Sequence, residues 1–502
     1  MNASEFRPTH LILAAIGLSL ATFMQVLDST IANVALPTIA GNLGVSSDQS
    51  TWVITSFAVC NAIGLPLTGW LARRVGEVRL FVISVILFVI TSFLCGVAQS
   101  ITELVIFRAL QGFVAAPMFP IAQTLLLSIF PREKRGMALA LLAMVTTVAP
   151  IAGPISGGWL TDNYSWPWIF FINIPIGLFA AFVVYQQLSK RPEIREKAPV
   201  DFVGLGFLTL GVGLLQVVLD KGNDLDWFAS SFIVVSSILS AIMIVAFVIW
   251  TLTSEHPIVD LRLLRYRNFA VGTVTLTLGF AAFFAINLIM PQWLQTQMHY
   301  TPIWAGLAVA PMGIMPFLLT PLVGRFAPSI DMRLLVTLSF AIMGAASFMR
   351  AGFNTDVNYA HIAQVQFFMG IGTAVFFMPL TTILLSEIPP HKIAEASGLA
   401  TFIRTLGSSF SASLSTWIWG RRAVFHHAQL GEHINLQTPA TLDYLNQLGG
   451  PSPAAYAQLD RVLTQQAYMM STIDYFTLLG YLFLALIITI WFARPPFIKS
   501  RH

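Results

Sequence analysis

Fourteen apolar runs, each about 20 residues long and spread from residue 11 to residue 493, constrain this chain more than any other feature. They fall at about 11–36, 50–72, 79–99, 103–127, 137–160, 167–189, 202–220, 230–252, 270–292, 303–325, 333–350, 360–386, 395–420 and 471–493. Each can cross the hydrocarbon core of a bilayer, which is about 30 Å thick. A backbone in lipid must satisfy its own hydrogen bonds, and the sequence shows no alternating barrel pattern, so all fourteen are expected to be helices. Hydrophobic residues make up 56% of the chain and charged ones 10%, against about 25% charged in an ordinary soluble domain. The expected fold class is an all-α membrane protein. The first run is too long for a secretory signal and has no basic stretch ahead of it, so it is read as a retained span.

The formal net charge of +4 could suggest a nucleic-acid partner, but its distribution excludes one. With both termini placed in the cytoplasm, most of the 27 Lys and Arg fall in cytoplasmic connections, as the positive-inside bias requires. Lys221, Arg350, Arg421, Arg422 and Arg461 are assigned to the other side, and Arg108 and Arg404 lie within runs. Cys60 and Cys95 also lie within runs and read as small buried thiols.

The two halves echo each other. PLTGWLARRVGEVRL from Pro66 is answered by PLVGRFAPSIDMRL from Pro321, 255 positions on, and FPREKRGMALA from Phe130 has a looser echo in PPHKIAEASGLA from Pro389. Such a parallel repeat is a mark of carriers. It divides the chain into a six-helix bundle (1–190), a charged connector with two inserted helices (191–268) and a second six-helix bundle (269–502). The last of these contains a long external loop at 421–470, where soluble structure could sit and an adaptor could dock. His426, His427 and His433 in that loop lack acidic or Cys partners at ligand spacing, so no metal is expected.

Asp28 needs a physical reason, because a carboxylate inside a bilayer costs several kcal/mol unless it meets water, a proton or a cation. Thr22, Gln25, Ser29 and Asn33 share one side of its helix at spacings of three and four, with Asp28 at the edge. That polar side is expected to face a cavity. Arg108 lies at a similar depth in the fourth run, so the two can pair, and protonating Asp28 would then release Arg108 to repack. Arg404, inside the thirteenth run, is expected to be a cavity residue. In APIAGPISGG, Ala149, Gly153 and Gly157 make a face without bulky side chains, while Pro150 and Pro154 each remove a backbone hydrogen bond and permit a bend. Gly69 and Gly76 are expected to allow a tight turn, with Arg74 and Arg79 fixing topology beside it.

There is no GxxxxGK phosphate loop, so a proton gradient rather than ATP is the expected energy source, with no cofactor. Neither HExxH nor GxSxG is present, which leaves no hydrolytic constellation and argues against an enzyme. A non-transporting membrane sensor would append a soluble output domain, and none remains once the spans are assigned.

Taken together, LDSTIANVALP, FRALQGFVAA, APIAGPISGG, WPWIFFINIPIG, DFVGLGFL and HPIVDLRLL resemble the motifs of the fourteen-span drug:proton antiporters of the major facilitator superfamily. The resemblance covers nearly the whole chain. It implies the major facilitator fold and export of hydrophobic and amphipathic toxicants, with Gln111 beside Arg108 in the fourth-span motif. It further implies a bacterial inner-membrane location, a membrane-fusion adaptor and an outer-membrane channel. Export of one metabolite or fatty acid is the alternative within carriers. Two positions depart from the motifs: Ala149 replaces the opening Gly of the antiporter motif, and Arg73 stands where the superfamily's loop motif has an acid, so that motif's charge lock does not carry over.

Overall fold

The computed structural model describes residues 8–131, 134–191, 201–255, 257–326, 330–435 and 438–497, and their regular structure is helical. The connector at 190–201 lies almost wholly outside these residues. The amino-terminal helices are α1 (Pro8–Leu43), α2 (Trp52–Val75), α3 (Glu77–Val97), α4 (Ile101–Ile129), α5 (Arg135–Asn163) and α6 (Trp168–Leu188). Next come α7 (Phe202–Lys221) and α8 (Ser231–Thr253). The rest are α9 (Arg267–Thr296), α10 (Ile303–Phe326), α11 (Met332–Ala351), α12 (Tyr359–Leu385), α13 (Ile393–Glu432) and α14 (Pro453–Ile490).

Among the described residues, twelve helices are long and apolar enough to cross a membrane, thirteen with the bent α5. The remaining expected run lies in α13, where Arg404 and the serines between 408 and 415 dilute the apolar character. It packs between α9 and α14 all the same. Large apolar side chains are exposed in helical stripes, such as Ile83, Ile86, Ile90 and Phe93 on α3 and Ile238, Ile242, Val245 and Ile249 on α8. In a chain solvated by lipid, these stripes are the outer surface.

In the amino-terminal half, α1 lies along α5 and α6, α2 along α4, and α3 against α4 and α6. In the carboxy-terminal half, α9 lies along α13, α11 along α14 and α10 along α12. The pair α7 and α8 touches both halves through α7. Lys221 donates to the Thr51 hydroxyl at 2.5 Å, and Asn223 donates to the Thr416 hydroxyl at 2.8 Å.

The start of α1 and the residues after α14 lie at one end of the molecule, the terminal end: Leu11 shares a groove with Arg325, and Arg267 donates to the Phe492 carbonyl and Asn268 to that of Arg494. The halves meet closely there. A Cβ added at Gly69 would fall 2.8 Å from Glu395 Cα, and one at Gly136 would fall 2.7 Å from the Gly324 carbonyl oxygen. Gly69 is therefore a crossing point inside α2 rather than part of a turn, which corrects its expected role. The turn belongs to Gly76 alone, the single residue between α2 and α3, whose φ of +96° favours glycine.

The expected external loop is also corrected. α13 runs 40 residues to Glu432 and α14 begins at Pro453, so most of 421–470 continues two membrane helices, joined through the short helix Pro439–Gln447. Its histidines serve helix contacts: His427 Nε2 lies 3.0 Å from Asp460, His426 Nε2 lies 2.7 Å from Asp474, and His433 Nδ1 lies 2.9 Å from the Gln429 carbonyl.

Candidate functional site

Close backbone approaches build the site around Asp28. Gly112 of α4 lies so near α2 that an added Cβ would fall 2.2 Å from the Phe57 carbonyl oxygen. Gly153 and Gly157 of α5 likewise press against Thr30 and Ile31 of α1. Ala149, one turn earlier, is fully buried. α5 bends by 46° between Arg135–Pro150 and Ile155–Asn163, a break that contains Pro154 and begins at Pro150. The missing proline N–H groups account for it.

Asp28 is 0% exposed and Arg108 1%. Arg108 Nη1 donates to Asp28 Oδ2 at 2.6 Å and to Gln111 Oε1 at 2.7 Å, while its Nε donates to the Val53 carbonyl at 3.2 Å. The guanidinium also sits 4.3 Å from the Phe57 ring centroid. The other carboxylate oxygen accepts from Asn173 Nδ2 at 2.7 Å and from Gln111 Nε2 at 3.4 Å. Asn173 in turn donates to Ser92 Oγ, whose own proton goes to the Phe170 carbonyl. Burying two ions costs several kcal/mol each and is offset only when further hydrogen bonds satisfy both partners, as they do here. The pair and its hydrogen bonds tie α1, α2, α4 and α6 together, with Ser92 of α3 behind Asn173.

Asp28 was expected at the rim of a cavity-facing stripe, and its burial corrects that. Thr22 is fully buried with its hydroxyl on the Leu18 carbonyl, Gln25 is buried, Ser29 is half-buried and bonds the Val26 carbonyl, and Asn33 is exposed. The stripe is a real helical face, but neighbouring helices cover it near Thr22 and leave it open near Asn33. Gln111 is fully buried against the charge pair instead of lining a cavity.

A small cavity of about 30 Å³ does lie between the halves, with room for a water molecule or two. Arg404 lines it, 5.0 Å from the Phe119 ring of α4 and 4.7 Å from the Phe280 ring of α9, alongside Gln123, Thr146, Thr381 and Thr401. Those polar neighbours were missed, since a lone Thr or Gln in an apolar run gives little signal. Asn173 had one: it is an amide inside the sixth run. A wider groove of about 880 Å³ opens between α1, α5 and α10, lined by Leu11, Ile16, Phe23, Met144, Lys134 and Arg325.

At the terminal end, Arg73 Nη1 of α2 lies 2.6 Å from Glu395 Oε2 in the first turn of α13. An ion pair thus joins the halves at the position where the motif departs, arginine on the first half and acid on the second. Arg74 lies over the Trp70 ring at 5.3 Å, and Arg79 lies in the first turn of α3. Nearby, the Asp260 carboxylate 2.9 Å from the Lys392 ammonium raises that lysine's pKa above its ordinary value.

Two helical bundles closed against each other at one end, with an ion pair sealed inside one of them, define a polytopic membrane protein of carrier architecture. The chain belongs to the major facilitator superfamily, whose profile matches residues 18–412. It is 48% identical over 503 residues to the multidrug export protein EmrB of Haemophilus influenzae, covering 99% of each chain. It is 45% identical over 500 residues to the fatty acid resistance protein FarB of Neisseria gonorrhoeae, again covering 99% of each. Among solved structures, the proton:xylose symporter XylE superposes with a TM-score of 0.60 at 14% identity, covering 97% of this chain and 96% of that one, which shows the shared fold.

Proposed function

We propose that the protein is a proton-coupled multidrug efflux transporter, in which residues 1–190 and 269–502 move as two bodies and Asp28 is the proton site. The buried pair of Asp28 and Arg108 carries this reading, because its charge balance depends on a single proton. A proton entering down about 100 mV and one pH unit supplies roughly 2.3 plus 1.4 kcal/mol, enough for a several-hundred-fold substrate gradient at one-for-one coupling. With the terminal end closed, Asp28 takes a proton from the opposite side and substrate leaves. Arg108 repacks, the bodies rock to open the terminal end, and proton loss there restores the pair.

On this reading the protein sits in a bacterial inner membrane with both termini in the cytoplasm and acts as a carrier, not an enzyme. The helical hairpin of α13 and α14 beyond the opposite end is the docking element for a periplasmic membrane-fusion adaptor, through which an outer-membrane channel is reached. Unchanged adaptor co-purification after trimming that hairpin removes this docking role.

Asp28→Asn tests the engine. In proteoliposomes, proton-driven efflux of a fluorescent substrate is expected to fall to background while substrate binding is retained. Efflux at the full rate overturns the assignment.

A second reading, export of fatty acids, is supported by the basic residues Lys134 and Arg325 in the apolar groove, by Arg404 between the bundles, and by the similarity to FarB. Under it, Arg404→Gln lowers export of a fatty-acid anion much more than export of a cationic dye. Equal losses for both remove this reading.

A further inference from the structure

Arg350 was assigned to an external connection, yet it is 0% exposed at the end of α11. Its Nη2 donates to Gln366 Oε1 of α12, and the Phe476 ring of α14 lies 5.7 Å from the guanidinium. Arg350 Nε and Nη1 and Gln366 Nε2 are buried donors with no acceptor. Among the described residues, no carboxylate pairs with Arg350. The α11 carboxy terminus supplies the equivalent of about half a negative charge, which leaves the cation only partly balanced. Water could satisfy the N–H groups but could not neutralise the charge.

The internal repeat shows what is missing. Cys95 near the end of α3 and Arg350 near the end of α11 occupy similar places in the two bundles, and each meets an amide sixteen residues on, Gln111 in α4 and Gln366 in α12. The contact is kept: Cys95 Sγ lies 3.6 Å from Gln111 Oε1, where Arg350 bonds Gln366 Oε1. In the first bundle Asp28 supplies a negative charge beside the amide, whereas among the described residues of the second bundle no carboxylate pairs with Arg350. The second bundle has kept the amide and gained a cation without an acid.

We infer that the carboxy-terminal bundle binds a small monovalent anion of the halide class between Arg350 and Gln366, held by a free N–H of the Arg350 guanidinium and by Gln366 Nε2. The ion takes the electrostatic place that Asp28 fills in the other bundle. One guanidinium balances one unit charge, and the aromatic surroundings favour a weakly hydrated ion over a divalent one. Because α11, α12 and α14 belong to one bundle, the ion is a resident counterion of that bundle and not cargo.

The test uses the full-length protein in detergent, with radiolabelled chloride for binding and a melting curve for stability. Wild type is expected to bind about one chloride per chain saturably. Its melting midpoint should rise with chloride, and with bromide, but not with gluconate at the same ionic strength. Arg350→Met should abolish both the binding and the halide dependence, and Gln366→Leu should weaken binding several-fold. If Arg350→Met does not fold, wild type and Gln366→Leu decide the matter. The inference is overturned if wild type shows no saturable chloride binding, if its midpoint is the same in chloride and gluconate, or if either variant binds as wild type does.

Discussion

The two bundles each bury an arginine, and they differ in how its charge is met. In the first, Arg108 has a carboxylate, an amide, a backbone carbonyl and an aromatic face. In the second, Arg350 has one amide oxygen and an aromatic ring. A covalently attached acid can gain and lose a proton and thereby change the bundle's packing energy. A bundle without an acid at its buried cation has no such titration there, so under the proposed mechanism proton sensing belongs to the first body alone.

The largest effect expected from breaking this asymmetry is on stability. Arg108→Met leaves Asp28 buried without its cation and should cost about 3–5 kcal/mol. Adding Asp28→Asn to it should recover much of the loss, which melting in detergent would read. If Arg350→Met costs as much as Arg108→Met in saturating chloride, the two sites are equally structural and the contrast fails. Next comes the shared amide. Gln111→Leu removes a partner from both ions and should cost about 1–3 kcal/mol, with a severalfold loss of efflux. Gln366→Leu should leave the pH dependence of efflux unchanged.

The smallest stability effect, with a distinct conformational readout, belongs to the contact between the halves. Arg73→Ala should cost about 1 kcal/mol or less, since Arg73 is partly exposed. That is expected to shift the balance toward opening of the terminal end by up to about fivefold. Spin-label distances across that end would show it, and the charge swap of Arg73→Glu with Glu395→Arg should restore closure.

Much of the fold was legible because lipid leaves few choices: runs of the right length must be helices, and a repeat must fold into similar bundles. The pairing of Asp28 with Arg108 was legible for the same reason, as two costly charges at one depth. What escaped was anything set by neighbouring helices. The stripe from Thr22 to Asn33 gave a face but not its covering, and Gly69 looked like turn chemistry until α13 was seen against it. Arg350 lay at the edge of an apolar run, where a loop cation and a buried one look alike. Arg73 departed from a motif, and only the position of Glu395 gave that departure a meaning.

α13 is one uninterrupted helix of 40 residues, about 60 Å at 1.5 Å per residue and twice the bilayer core. It begins at the Arg73 contact and ends well past the membrane, bound side by side to α14 through His427 and Asp460. Such a shaft acts as a lever: a tilt of a few degrees about its pivot in the membrane sweeps the tip through several ångströms outside. Under the proposed rocking cycle, a partner gripping the tip would receive the stroke of the second bundle directly, and in return would brake it.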